Sequence, residues 1–309
     1  MTDAQKELNK KLEEGVQAVF NSDSWKNYLK MYENFRNYSW QNKILVMLQK
    51  PDATVVKGFR SWQKDFNRTV KKGEKGIRIF APSTYNKLYT PDAFELLCEY
   101  DKQFEKYRNN KQGDMIAVPM QTFVPVSVFD VSQTEGEPLP VHEIRKELKG
   151  EVKDYQKTLQ MLIDICPCPV DFSNIETDKH LDNAYGYFSP TDNHIVLRDD
   201  MSEEMTIKVL VHEMAHSMLH GKDMLVEGIE DTSFLGKKDL KEIQAESVAY
   251  CVCDSLGIDS ACESFGYIAM YANEDMKKLK NTLDVIDKAV SKIEKGIEEY
   301  RDKEKEQTR

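Results

Sequence analysis

No run of this chain approaches the twenty or so apolar residues that a membrane-spanning helix needs, so no membrane partner is expected. The opening residues, MTDAQKELNKKLEEG, lack the apolar core of a secretion signal, and a cytoplasmic address is the expectation. Cysteine is scarce: six in 309 residues, with no Cys-x-x-Cys pair among them. A disulfide scaffold is therefore not expected, and Cys98, Cys166, Cys168, Cys251, Cys253 and Cys262 read as free thiols, with metal or redox chemistry at the Cys-x-Cys pairs 166/168 and 251/253 the alternative. There is neither an internal repeat nor a long low-complexity tract. The chain also lacks a basic excess. Its net charge of −10 argues against a protein that simply coats nucleic acid.

What is present is the composition of a soluble globular protein, 40% hydrophobic and 31% charged, long enough for two domains. The charge is uneven. Between Trp40 and Phe80 there are ten Lys or Arg against three acids, a basic island in an acidic chain.

The pattern along the chain indicates an α+β protein of two domains. Residues 1–135 mix helix and strand signals. WKNYLKMYENFRNYSWQNKILVMLQ has helical spacing up to Pro51, ATVVKGF reads as a strand, and RTVKKGEKGIRIFAP reads as two strands about a glycine-containing turn. A largely helical insertion is expected near 84–118, followed by the β-rich FVPVSVFDV. Polar, proline-bearing sequence over 136–150 reads as a linker. Residues 151–275 then form a mainly helical domain with a small sheet. It holds a helix at DYQKTLQMLIDIC, a hairpin at NAYGYFSPTDNHIVLR, and helices near 201–220 and 240–256 that stop at Gly221 and Gly257. In the tail, 276–309, apolar residues recur in three- and four-residue steps from Met276 to Tyr300. That heptad suits a coiled-coil homodimer or a helix packed back on its own domain.

Chemistry concentrates at VLVHEMAHSMLH, residues 209–220, in a chain with only six histidines. On a helix His212 and His216 stand one turn apart, so both imidazoles reach a single ion. Glu213, one residue round, lies where a carboxylate can act as general base on a water without ligating the metal. Leu219 and Lys222 stand where a metzincin needs Gly and His, which excludes that class. LKEIQAESVAYCVC supplies Glu242 and Glu246, one helical turn apart. Glu242 is assigned as third ligand of a gluzincin-like Zn2+ site, and Glu246 as the carboxylate that orients His212. Two alternatives stand: Glu246 as the ligand, or Glu242 closing a capping box with Asp239. His194, His220 and Tyr187 are read as ordinary strand or helix residues.

In the basic island, cations alternate with Trp40, Phe59, Trp62, Phe66 and Phe80. Cations neutralise phosphates and exposed rings stack on unpaired bases, so this composition suits single-stranded nucleic acid better than a duplex. The candidate contacts from the island are Lys43, Lys57, Arg60, Lys64 and Arg78. The bland alternative is that the rings are core and the lysines a solvated turn.

Read as a whole, YSWQNKILVMLQKPDATVVKGFRSWQKDFNRTVKKGEKGIRIFAP with VFDVSQTEGEPLP resembles the N-terminal domain of ArdC-type antirestriction proteins, which is associated with single-stranded DNA. GYFSPTDNHIVL, TIKVLVHEMAHSMLH and EIQAESVAYCVCDSLGID are similar to the ArdC C-terminal domain, itself like zinc metallopeptidases of the ImmA/IrrE kind. The resemblance implies a protein of plasmids or conjugative elements that protects single-stranded DNA from host nucleases. By position it adds Asn42, Trp62, Arg68, Lys71, Lys72 and Lys75 as DNA-contacting residues, and it matches His212, Glu213 and His216 to the metal motif. A peptidase acting on a regulatory or restriction-related protein, with the N-terminal domain for location, is the alternative. The insertion and the heptad tail have no counterpart in the family pattern.

Overall fold

A computed structural model describes residues 2–20, 22–139, 154–221, 238–258 and 275–307. Much of the expected linker and Cys262 lie outside these residues. Among them, no helix is long and apolar enough to cross a membrane.

The chain opens with α1 (Asp3–Val19), started by a capping box in which Thr2 and Gln5 satisfy each other's backbone N–H. The apolar run expected as one helix is two, α2 (Ser22–Phe35) and α3 (Trp40–Gln49), with Ser39 at the new N-cap. Gly15 of α1 sits where an added Cβ would lie 2.5 Å from Leu48 and 2.6 Å from Ile44 of α3, so close helix contact requires glycine there.

A long hairpin follows. β3 (Ile77–Tyr89) pairs antiparallel with β5 (Met115–Asp130), and β1 (Val56–Gly58) takes the other edge of β5. Between β1 and β3 lie α4 (Phe59–Phe66) and β2 (Arg68–Val70). The two strands expected to flank the Lys71–Gly76 turn both form, but they do not pair with each other. β2 pairs with β6 (Thr134–Gly136) instead. The outer edge of β3 is covered by side-chain amides. Gln49 and Asn42, seven residues apart on α3, each donate to and accept from a backbone, that of Arg78 and Phe80 respectively. This closes an edge that would otherwise offer unpaired backbone groups. Residues 84–118 are the distal hairpin with α5 (Pro91–Tyr100) and the short β4 (Lys111–Gln112), which pairs with β5. Phe94, Cys98, Ile116 and Val118 give this region a small core of its own.

The second half holds α6 (Tyr155–Ile165) and a three-stranded sheet in the order β7 (Val170–Ser173), β9 (His194–Arg198), β8 (Gly186–Ser189). β8 is an edge strand. Gly186 lets it approach the helices: a Cβ there would meet Leu197 and Val209 at 2.8 Å. Then come α7 (Glu203–His220), α8 (Lys238–Ser255) and α9 (Met276–Gln307).

One hydrophobic core runs from Leu8 to Ile297, joining residues of both halves. The heptad face of α9 belongs to it. Leu279, Leu283, Ile286, Val290, Ile293 and Ile297 are all buried within the chain, and α9 contacts α1, α3, α6, α7 and α8. The apolar seam that a coiled-coil homodimer would need is thus already covered intramolecularly, which corrects that expectation.

Candidate metal centre

α7 begins at Ser202, whose hydroxyl accepts the N–H of Met205, with Glu203 and Glu204 in the first turn. It is packed on several sides, by α8, the small sheet, α6 and α9. This turns the polar stripe His212–His216–His220 towards a cleft of about 740 Å³ that also takes in Phe188, Tyr187 and Lys241.

Nε2 of His212 and Nε2 of His216 approach to 3.1 Å. From α8, Glu242 brings Oε2 to 3.4 Å from the first and 3.6 Å from the second. Two ligand atoms on a tetrahedral ion with bonds of 2.0–2.1 Å stand about 3.3 Å apart, so the three donors have the spacing that one small cation requires. Among the described residues this is the group of His, Cys, Asp and Glu atoms close enough to share an ion.

The other nitrogen of His212 faces Glu246, Nδ1 to Oε2 at 3.2 Å, and Lys208 holds the second oxygen of Glu246 at 2.9 Å. With Nδ1 donating to Glu246, Nε2 is left to face the site. Burial works against a charge on His212, yet Glu242 and Glu246 outweigh it and raise its pKa to about 9. Glu242 is held far below the carboxylate range by the two imidazoles. Glu246, despite a burial that opposes its charge, is lowered to about 2 by His212 and Lys208. The side chain of Asp239, the proposed capping partner, lies outside the described residues.

Glu213 is buried beside this cluster. Desolvation raises its pKa, opposed by the two imidazoles and by the backbone N–H of Phe188, which it accepts. That N–H belongs to the free edge of β8. His220 and Tyr187, read from the sequence as ordinary, both line the cleft. His220 meets His216 Nδ1 to Nδ1 at 2.9 Å and Gln244 Oε1 from Nε2 at 3.0 Å. Burial pushes its imidazolium down, to about 4. The four-residue step from His216 to His220 was the available signal. Gln244 carried none. Tyr187 donates to Asp178 at 2.7 Å, and His194 merely stands near its ring, 6.5 Å between centroids.

The basic island divides. Lys43 is fully buried, its Nζ 2.5 Å from Asp287 and 3.7 Å from the ring centre of Tyr32, so it is no phosphate contact. Trp62 is likewise fully buried, with Nε1 donating to the Phe129 carbonyl at 2.8 Å, and cannot stack on a base. Both expectations are corrected, because composition does not report which face of a helix is covered. Asn42 is engaged with Phe80. Arg68 ties down Thr134, Gly136 and Glu137, and Lys71 donates to the Ser132 carbonyl. Lys57 lies half-buried over Phe66. Arg60, Lys64, Lys72, Lys75 and Arg78 have exposed side chains, and Phe59 beside them is exposed.

Comparison with known proteins finds matches in both regions. Residues 2–129 match the family model described as the N-terminal domain of anti-restriction factor ArdC. Residues 133–228 match one described as "Putative metallopeptidase family". The first match is thus to ArdC and the second to a putative metallopeptidase family. Two crystal structures of the antirestriction ArdC protein from the R388 plasmid share its fold at a TM-score of 0.53. The metal-free one is 17% identical, covering 85% of this chain and 86% of that one. The Mn(II)-bound one is 15% identical, covering 96% and 98%. An uncharacterized Bacillus anthracis protein is 25% identical over 300 residues, 88% of this chain and 49% of the relative. The ArdC-like chain therefore spans about half the length of that curated relative.

Proposed function

We propose that this ArdC-like chain is an antirestriction-type protein whose centre binds a divalent cation, zinc by preference, and hydrolyses a peptide bond in a protein substrate. His212, His216 and Glu242 would hold the ion; two imidazoles and one carboxylate at tetrahedral spacing suit zinc better than the oxygen-rich octahedron that manganese favours. Bound there, the cation supplies Lewis acidity to a water and to the substrate carbonyl.

The observation that carries the reading is Glu213. A site with only a structural role has no need of a carboxylate that is buried, held outside the ligand set and raised in pKa by desolvation. Raised in this way, it takes a proton from the attacking water and delivers it to the leaving amine nitrogen. The free edge of β8, with Phe188 directed at Glu213, gives an extended substrate backbone a strand to lie against.

The test is metal analysis of the purified protein beside His212→Ala and Glu242→Ala, with peptide hydrolysis by wild type and Glu213→Gln. We expect one zinc per chain, lost in both ligand variants. Glu213→Gln should keep the metal and lose roughly a hundredfold or more in rate, as removal of a general base does. Equal cleavage by wild type and Glu213→Gln would end this reading.

A second reading, single-stranded DNA binding and protection from nucleases, is favoured by the exposed Arg60, Lys64, Lys72, Lys75 and Arg78 next to exposed Phe59. We assign residues 1–135 to that role and 151–275 to the metal centre. Replacing Lys72 and Lys75 with Ala should weaken binding to an oligonucleotide and flatten its salt dependence by about 0.7 log units for each phosphate no longer neutralised. An unchanged salt slope counts against a role for those two lysines.

A further inference from the structure

We propose that the groove between α1, α3 and the β3–β5 hairpin receives one unpaired nucleobase between the rings of Phe80 and Phe123. The proposal rests on the single-stranded DNA reading above. It adds a site whose walls include none of the exposed cations named there.

The groove encloses about 560 Å³ and is bordered from α3 by Trp40, which is buried with its indole Nε1 3.3 Å from Asp284. Phe80 and Phe123 stand on one face of the hairpin. Phe80 lies opposite Pro125 and Pro82 opposite Phe123, so the two rings are diagonal neighbours. Diagonal side chains on an antiparallel pair stand about 7–8 Å apart. Stacked bases lie about 3.4 Å from one another, so a flat ring between two others needs about twice that. The spacing admits one base. Among the described residues neither phenylalanine touches another ring, and Phe123 is 59% exposed. The strand is pinned here without using that side chain, because Gln5 of α1 donates to the Phe123 carbonyl at 2.8 Å.

The rest of the lining suits a base and the backbone that carries it. Ser39, Gln41 and Thr122 border the groove, and their side chains have no hydrogen-bond partner among the described residues. One amide and two hydroxyls both donate and accept, which matches the mixed edges of the bases without selecting one of the four. The lining has one ammonium, Lys280 of α9, held by Glu13 at 2.9 Å, and no carboxylate. Arg78, two residues before Phe80 and on the same face, is exposed and forms no ion pair among the described residues. Two strand residues span about 6.7 Å, so a strand with a phosphate on Arg78 passes directly into the groove. A peptide ring would fit the same gap, but the cation beside it favours a base borne on phosphates. Because α9 contributes Lys280, and Asp284 behind Trp40, the groove is complete only with both halves of the chain.

The test has two parts on the full-length chain. The first compares affinity for a fluorescent oligothymidylate across Phe123 variants whose thermal unfolding matches wild type. Phe123→Ala should weaken binding about 5- to 150-fold, the range that loss of one stacked ring gives. Its salt slope should not change, because no phosphate contact is lost. Phe123→Trp should restore binding, whereas Phe123→Leu, apolar but not flat, should stay weak. Full recovery with Leu, or wild-type affinity in Phe123→Ala, overturns the proposal. In the latter case salt-dependent binding by wild type still upholds the DNA reading. A wild type that does not bind the oligonucleotide overturns both. The second part crosslinks an oligonucleotide carrying 4-thiothymidine and maps the adducts by mass spectrometry. Adducts should fall on the peptides holding Phe80 or Phe123. Adducts confined to residues 59–75 would overturn the proposal and leave the groove to a peptide ring.

Discussion

The indole Nε1 of Trp25 donates to the hydroxyl of Ser247 at 3.2 Å, joining positions 222 residues apart in sequence. Ser247 in turn donates to the Ile243 carbonyl at 2.6 Å. Ser247 follows Glu246 and Ile243 follows Glu242, so a helix of the N-terminal half grips the helix that carries both site carboxylates.

Trp25→Ala should therefore disturb more than the N-terminal half. Truncating a fully buried tryptophan costs about 3–5 kcal/mol. With one shared core, urea unfolding followed by circular dichroism and by metal release should give coincident midpoints, both shifted down in the variant. Two separated transitions would contradict the shared core.

Buried Lys43 and half-buried Asp287 form an ion pair between α3 and α9. Lys43→Met leaves Asp287 without its cation and should destabilise by roughly 3 kcal/mol or more. The double variant Lys43→Met with Asp287→Leu should recover most of that loss and bind DNA as wild type does. A DNA defect in the rescued double variant would restore Lys43 as a contact.

The Tyr187–Asp178 bond sets a pH window on the cleft wall. The hydrogen bond to Asp178 is the main cause that raises Tyr187 to about 12, and the same bond lowers Asp178. The raised phenol contributes stability below its ordinary value near 10 and loses it as pH climbs through about 12. The lowered carboxyl contributes above the ordinary range near 4 and loses it as pH falls further. The pair is thus intact from about pH 5 to pH 10. Carbon NMR of ring-labelled protein should put the onset of Tyr187 ionisation lower in Asp178→Asn; an unmoved titration would count against the bond.

Burial raises the pKa of Cys98, Cys168 and Cys251, and carries Cys166 and Cys253 to about 12. The nucleophile is the thiolate, so these five should resist a disulfide reagent at pH 8 until the chain is denatured, when all six react. Rapid modification of two or more thiols in the folded protein would contradict the packing.

Local geometry made part of the site legible without any structure. A four-residue step on a helix fixes the relation of His212 to His216, and of Glu242 to Glu246, because the helix repeat is set by the backbone alone. The short β8–β9 hairpin and the stop at Gly257, with its left-handed φ of 77°, follow from equally local rules. What local rules omit is the surface each face meets. The Lys43 ammonium and the Trp62 ring lie inside because α9 and the β5 backbone happen to cover them. The heptad of α9 specifies an apolar stripe but no partner for it, and the fold supplies five helices of its own chain. His220 meets Gln244 only because α8 packs against α7, and no spacing within one helix foretells a contact between two.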